Sequence, residues 1–414
     1  MRKIILKIIY YVLAKYARHF IQETKPYVIW VTWNVGKTSC RMILYKVLEK
    51  HIINKKIYTS PKNYNSELWF IFSIFGIEEF IPWIIGLFKI CIKIRKLSIK
   101  SRKIYDIIIL EYGIDHPWDM DFLVSIVKPD ISIFTKLWSI HIENFWTIED
   151  IGNEKFKLIF ATKDKTYLNY EDDFSRIKYD EVIINKQFFN NSWFDFVYLL
   201  KWKKIYSKLS FDWIDIKTNI LWCENFSYIQ LSYLILKDFW LWIDINKEFL
   251  ELKNQPWRFT VFNWIKQSIL IDSTYNAWPE SMKMMIENTH ILRKSLFPDY
   301  KLWFVIWDMR ELWKYSKELH ENLYQKLKDY DLLITVWLET RKYFPKEIKN
   351  YLSSRQAWIY LKSELLNSNE KYIILFKWSQ NTIFVEEALK QVLINKNDYR
   401  KLVRQDDIWM SRKG

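Results

Sequence analysis

With 414 residues, half of them hydrophobic and 27% charged, the chain is long enough for two or three domains with real cores and is globular rather than disordered. Three cysteines without paired spacing (Cys40, Cys91, Cys223) give neither a disulfide framework nor a zinc site, and fit a reducing cytoplasm. The net charge of +15 suits nucleotides, phosphorylated substrates or an anionic membrane surface, and no nucleic-acid recognition motif accompanies it.

Residues 1–22 read as a basic amphipathic helix, with Arg2, Lys3, Lys7, Lys15 and Arg18 among Ile, Leu and Tyr, and no small-residue cleavage site follows. Such a helix lies either on a membrane or on the protein's own surface. A β-branched and aromatic run at 27–31 reads as a buried strand, and Thr32-Trp33-Asn34-Val35-Gly36-Lys37-Thr38-Ser39 follows it directly. Residues 41–48 then place apolar side chains at helical spacing. Strand, tight loop, Gly-Lys-Thr and helix form the layout of a phosphate-binding loop. In such a loop backbone N–H groups meet the phosphates, Lys37 supplies a point charge and the Thr38 hydroxyl can ligate Mg²⁺.

The apolar run at 80–92 is too short and interrupted to span a bilayer and reads as a buried or interfacial helix. Further strands are expected at 107–111, 131–135, 158–161 and 166–169, alternating with helical patterns as in an α/β domain with a mostly parallel sheet. Glu111, Thr135 and Asn169 stand at the carboxyl ends of these strands, where ligands of such sheets gather. A boundary falls at Gln255-Pro256-Trp257-Arg258. The expected organisation is an N-terminal helix (1–26), a P-loop central domain (27–255) and a smaller Rossmann-like α/β domain (256–414). In the last, strands are expected at 268–272, 302–306, 331–335 and 372–376, and helices at 279–294, 315–328 and 382–394.

Trp33 conflicts with the loop, because the backbone there must pass close to the phosphates and glycine alone permits that. Composition generalises the conflict. Glycine numbers 6 and tryptophan 23, and together they approach the usual glycine share of roughly 7%. Tryptophans also occupy turn positions, as in Asn276-Ala277-Trp278-Pro279 and Phe376-Lys377-Trp378-Ser379. The expectation is a gene that uses UGA for glycine, so that most of these sites, though not Trp409, are glycine. A chain that is genuinely rich in tryptophan is the alternative.

Taken in order, the motifs resemble the Mur ligases, and within them the MurF branch. Thr32 to Ser39 is similar to that family's P-loop, with Trp33 for glycine. Asn63 and Asn65 lie in a stretch similar to its asparagine-rich substrate loop. Glu111-Tyr112-Gly113 resembles the metal-binding glutamate segment, and Lys128-Pro129-Asp130 and His141-Ile142-Glu143-Asn144 the next landmarks. Arg258 and Asp272-Ser273-Thr274-Tyr275-Asn276 resemble the start of the C-terminal domain. Trp307-Asp308-Met309-Arg310-Glu311 with His320, and Lys377-Trp378-Ser379-Gln380, point to the MurF branch.

The resemblance implies a cytoplasmic enzyme of peptidoglycan synthesis. ATP phosphorylates a substrate carboxylate, an amine attacks the acyl phosphate, and an amide, ADP and phosphate result. For MurF-like ligases the substrates are a UDP-MurNAc-peptide and D-alanyl-D-alanine. Carried over residue by residue, Lys37, His141, Lys155 and Arg258 take catalytic roles, and Thr38, Glu111, His141 and Lys155 hold metal, with Lys155 where the family carbamylates a lysine. Trp33, Asn34, Gly36, Lys37, Thr38, Ser39, Asn225, Arg258, Asp272, Tyr275 and Asn276 face ATP. Asn63, Asn65, Asp308, Lys377 and Ser379 face substrate. Three departures accompany this pattern. The residues after Lys155 are not the usual small and acidic ones, and Glu224 replaces a usual histidine. Only about 26 residues precede the P-loop strand, too few for the family's UDP-gripping N-terminal domain. A partner chain, membrane contact through 1–22, or a different substrate would account for the last. The alternatives are a Mur-family ligase with another carboxylate and amine, or a non-catalytic basic membrane-surface protein that keeps the fold.

Overall fold

The computed structural model describes residues 2–33, 36–60, 67–77, 84–100, 103–111, 114, 116–117, 119–137, 147–190, 195–201, 204–211, 214–239, 248–252, 259–263, 268–274, 277–310, 312, 315–377, 389, 393 and 396–402. The chain packs as two compact units. The first comprises 1–195, 211–214 and 224–246, the second 196–210, 215–223 and 247–414.

In the first unit α1 (Arg2–Thr24) precedes β1 (Tyr27–Thr32), α2 (Lys37–His51), β2 (Ile57–Thr59), α3 (Glu67–Ile74) and α4 (Ile84–Lys100). Then come β3 (Ile107–Glu111), α5 (Asp119–Ile126), β4 (Ile131–Phe134), α6 (Ile148–Ala161), β5 (Lys165–Asn169), α7 (Asp173–Ile177) and β6 (Asn185–Phe189). The six strands form one sheet in the order β2-β3-β1-β4-β5-β6, parallel throughout. Strands buried on both faces read as continuous apolar runs, and β3 (Ile-Ile-Ile-Leu-Glu) is buried up to its final glutamate. The chain leaves β3 on one side of β1 and returns as β4 on the other, so the crevice at the carboxyl end of β1 is the switch point where ligands of such sheets bind.

One expectation needs correcting here. The run 158–161 is not a strand but the last turn of α6. A capping box starts that helix: Thr147 accepts from the Asp150 N–H at 3.0 Å and the Asp150 carboxylate accepts from the Thr147 N–H at 2.9 Å. A short apolar run has no period of its own, and the upstream cap at Thr147 sets the conformation. Helix α1 is the amphipathic segment expected, and its apolar side is used internally. Leu13, Ala14, Ala17 and Phe20 are buried in the core of this unit, and Arg18 Nε donates to the Ser125 carbonyl at 2.6 Å. Among the described residues no helix is long and apolar enough to cross a membrane.

A four-stranded sheet that the sequence did not suggest comes next, in the order β10-β9-β8-β7: β7 (Asp195–Lys201), β8 (Lys204–Phe211), β9 (Ile214–Thr218) and β10 (Glu248–Leu250). Helix α8 (Glu224–Asp238) packs on α2 in the first unit. The second unit continues with β11 (Thr260–Asn263), β12 (Ile269–Ser273), α9 (Pro279–Leu296), β13 (Lys301–Trp307), α10 (Ser316–Lys326), β14 (Leu332–Val336), α11 (Leu338–Tyr343), β15 (Lys349–Tyr351), α12 (Ser354–Asn367) and β16 (Tyr372–Lys377). Its sheet runs β11-β12-β16-β13-β14-β15, parallel except for β11. The period of two divides each strand between two cores: Leu302, Phe304 and Ile306 face one cluster with Met285 and Leu292 of α9, while Trp303, Val305 and Trp307 face another with Leu361 and Leu365 of α12. The expected helix at 382–394 falls almost wholly outside the described residues.

Candidate active site

At the carboxyl end of β1 the chain turns through Trp33 and Gly36 into α2. Gly36 is the N-cap of α2 with φ of 85°, a left-handed conformation that glycine adopts without strain, and no side chain caps the helix there. A Cβ at this position would also lie 1.8 Å from the Tyr228 hydroxyl of α8, so the site excludes every other residue twice over. Lys37, Thr38 and Ser39 form the first turn of α2, where N–H groups have no intrahelical acceptor and the macrodipole favours anions.

Behind this turn lies a chain of polar contacts. Thr38 Oγ1 donates to Glu111 Oε1 at 2.8 Å, and Glu111 ends β3 beside β1. The second carboxylate oxygen of Glu111 accepts from Arg41 Nε at 2.7 Å. Arg41 Nη1 in turn donates to Thr59 Oγ1 at 2.8 Å and to the Ser60 carbonyl, and Thr59 Oγ1 donates to the Ile109 carbonyl at 2.9 Å. The guanidinium is fully buried, and its Nη2 has no partner among the described residues. Arg41 is the residue that sequence reasoning missed, counted there within an apolar helical pattern. The available signal was its spacing, one turn after Thr38 on the same helix face.

The Thr38 and Glu111 oxygens form a pair of hard donors 2.8 Å apart beside a phosphate-type turn, a donor set that suits Mg²⁺. Lys155 is 2% exposed in α6, so it is no solvated surface lysine. Its neighbour Glu154, also buried, accepts from the Met120 N–H at 3.2 Å and pairs with Lys157 at 2.7 Å. Asn225 is half-buried in the first turn of α8. Cys40 is buried, its thiol pushed up by desolvation and by Glu111, whereas Cys223 is only half-buried.

Trp33 does not cover the turn as its bulk suggested. Its indole is fully buried, edge-on to Phe134 and Phe174, and its N–H donates to Asp172 Oδ2 at 2.9 Å. Its conflict is with the backbone, at φ of 96°.

In the second unit, Asp272, Asp308 and Lys377 stand at or just past the carboxyl ends of β12, β13 and β16, and all three are buried. Asp272 Oδ1 accepts from the Thr274 N–H at 3.0 Å, and Lys377 Nζ donates to the Ser273 carbonyl at 3.2 Å. Asp308 caps α11 from a neighbouring strand: its two oxygens accept from the N–H groups of Glu339 and Thr340, each at 2.8 Å, and from Thr340 Oγ1 at 2.9 Å. Burial pushes its carboxyl up, against the pull of those hydrogen bonds. His320 holds the following residue, its Nε2 accepting from the Met309 N–H at 3.1 Å while Nδ1 donates to the Ser316 carbonyl at 2.7 Å. Burial lowers its proton affinity and keeps the ring neutral. The expected site residues Asn34, Asn63, Asn65, His141, Arg258, Tyr275, Asn276 and Ser379 lie outside the described residues.

Residues 31–193 match the family model of the Mur ligase middle domain. Over 329 residues the chain is 25% identical to the UDP-N-acetylmuramoyl-tripeptide–D-alanyl-D-alanine ligase of Rickettsia prowazekii, covering 75% of this chain and 65% of that relative, a little under two thirds. The MurF ligase of Thermotoga maritima, solved in complex with ADP, superposes with a TM-score of 0.71 at 24% identity, covering 92% of this chain and 82% of that one. A MurF of Acinetobacter baumannii gives 0.69 at 16% identity, with coverages of 92% and 80%. Residues 31–193 are therefore similar to a Mur ligase middle domain, and the chain is similar to MurF ligases in sequence and in fold.

Proposed function

We propose that the chain is an ATP-dependent amide ligase of peptidoglycan precursor synthesis, joining D-alanyl-D-alanine to a UDP-MurNAc-peptide through an acyl phosphate. The observation that carries this reading is the contact chain Thr38–Glu111–Arg41 behind an uncapped helix start at a sheet switch point.

In this reading the first N–H groups of α2 and the Lys37 ammonium hold the ATP phosphates and stabilise charge on the transferring phosphoryl group. Thr38 and Glu111 hold Mg²⁺, which neutralises phosphate charge when bound. Arg41 holds Glu111 in orientation through its Nε contact. Lys155, already buried, becomes an anionic metal-binding group if carbamylated, with His141 as a companion ligand. Asn225, Arg258, Asp272, Tyr275 and Asn276 contact the nucleotide; Asn63, Asn65, Asp308, Lys377 and Ser379 position the two substrates. The enzyme works in the cytoplasm. Any attachment to the inner membrane face rests on exposed basic residues of α1 such as Lys15, since the apolar side of that helix is in the core. A partner chain gripping the UDP-sugar belongs to the same proposal.

The test is phosphate release from ATP by the chain carrying Trp33→Gly, with UDP-MurNAc-tripeptide and D-alanyl-D-alanine supplied singly and together. Release that needs both supports the reading. Release with another carboxylate and amine, and none with this pair, replaces the substrates and keeps the chemistry.

A further inference from the structure

We propose that positions 33 and 337 are glycine in the protein its gene specifies, through UGA codons that mean glycine, and that Trp222 belongs to the same set. The inference stands apart from the ligase reading. Six described residues other than glycine have positive φ. Four of them, Lys25, Asn190, Phe259 and Asp329, lie between 45° and 59°, in or beside the small left-handed island that L residues can enter. The other two are Trp33 at 96° and Trp337 at 94°, beyond that island and close to the 85° of Gly36. Tryptophan makes up 23 of 414 residues, so two of six is not what chance distribution gives.

Trp337 is the more decisive of the two. With φ 94° and ψ −173° it occupies a region that is essentially confined to glycine. Both backbone polar groups of residue 337 are engaged in this conformation: the Trp337 N–H donates to the Tyr351 carbonyl at 2.9 Å, and the Trp337 carbonyl accepts from Asn350 Nδ2 at 3.2 Å and from the Arg341 N–H at 3.4 Å. As N-cap of α11 it offers no side-chain acceptor, and Asp308 does that work from the neighbouring strand. The hydrogen bonds of the turn thus use only the backbone of residue 337, whose ring packs, partly buried, against the core beside α12.

At Trp33 the indole N–H meets Asp172, but that carboxylate is already satisfied. It accepts from the N–H groups of Leu137 at 2.8 Å and Ser175 at 3.0 Å, and from the Ser175 hydroxyl at 2.5 Å. Removing the indole therefore orphans no acceptor. Trp222, just before α8, shows the complementary fault: its ring is 8% exposed and its N–H has no acceptor among the described residues. Trp30 and Trp358 bury their indole N–H groups in the same way.

Two measurements decide the matter. The first is peptide mass mapping of the protein purified from its native cells, with the gene's codons read at the same positions. UGA codons and glycine masses at 33 and 337 are expected; UGG at either, or tryptophan in the native peptide, overturns the proposal. The second is the thermal midpoint of recombinant Trp337→Gly against the chain with tryptophan. A rise is expected from relief of the turn, and a fall overturns the assignment of that turn to glycine. Neither readout depends on whether the chain ligates anything.

Discussion

The carboxyl ends of the two parallel sheets gather the same kinds of residue and use them differently. In the first unit Glu111 is held by two side chains, Thr38 and Arg41, both on α2. Side chains can turn away when a cation or phosphate arrives, so this arrangement is ready to exchange partners. In the second unit Asp308 is held chiefly by backbone N–H groups of α11, and Lys377 by the Ser273 carbonyl. Backbone partners cannot leave without moving an element. One cluster is therefore held by groups that can exchange partners, the other by groups that fix a loop in place.

That contrast can be broken by substitution. Arg41→Met should have the largest effect on stability, costing about 3–5 kcal/mol because it leaves Glu111 buried without its cation. Denaturant unfolding checks this, and adding Glu111→Gln should recover part of the loss. Lys37→Ala, in a chain with glycine at 33, should lower the rate of phosphate release by about 10²–10³-fold with an unchanged thermal midpoint, as for removal of a donor that meets developing charge. An equal loss of stability would show that Lys37 serves the fold instead.

Asp308→Ala should cost about 1–3 kcal/mol, the penalty for leaving the α11 N–H groups unmet, while Asp308→Asn, which keeps one of the two acceptor oxygens, should recover only part of that loss. If the alanine variant unfolds no more easily than the unsubstituted chain, the cap contributes nothing to stability. The smallest effect is pH dependence at His320. Its folded affinity for a proton lies below the ordinary value of 6.5, so the unfolded chain binds more protons as pH falls through that value. Stability should therefore decline on acidification below about pH 6.5, and His320→Gln should flatten that decline in thermal melts measured across pH.

The sequence made the first site legible because its parts are local. Gly36, Lys37 and Thr38 are contiguous, and Glu111 ends a run of four aliphatic residues, three of them β-branched isoleucines that favour a strand. Arg41 was not legible, since its partners Glu111 and Thr59 are distant in sequence and only sheet order brings them to α2. The turn at 337 was hidden for a related reason: its strain comes from Tyr351 and Asn350 on the next strand. The run 158–161 was misread because four apolar residues carry no period, and the four-stranded sheet escaped because its strands alternate burial too weakly, as the half-exposed β7 shows. Asp308 was picked out by resemblance to a motif, but its work as a cap for α11 depends on β13 and β14 lying side by side.

Arg41 also ties together two segments that are separate in the chain. The same guanidinium grips the carboxylate at the end of β3 and the residues that close β2, just before the stretch carrying Asn63 and Asn65. Whatever draws Glu111 toward a cation must alter the grip on Ser60, and whatever reshapes the segment after Ser60 must alter the hold on Glu111. Thermodynamic linkage makes that influence mutual and equal in free energy. A change at one end of this guanidinium is thus felt at the other, so the carboxyl ends of β2 and β3 are coupled through one buried side chain.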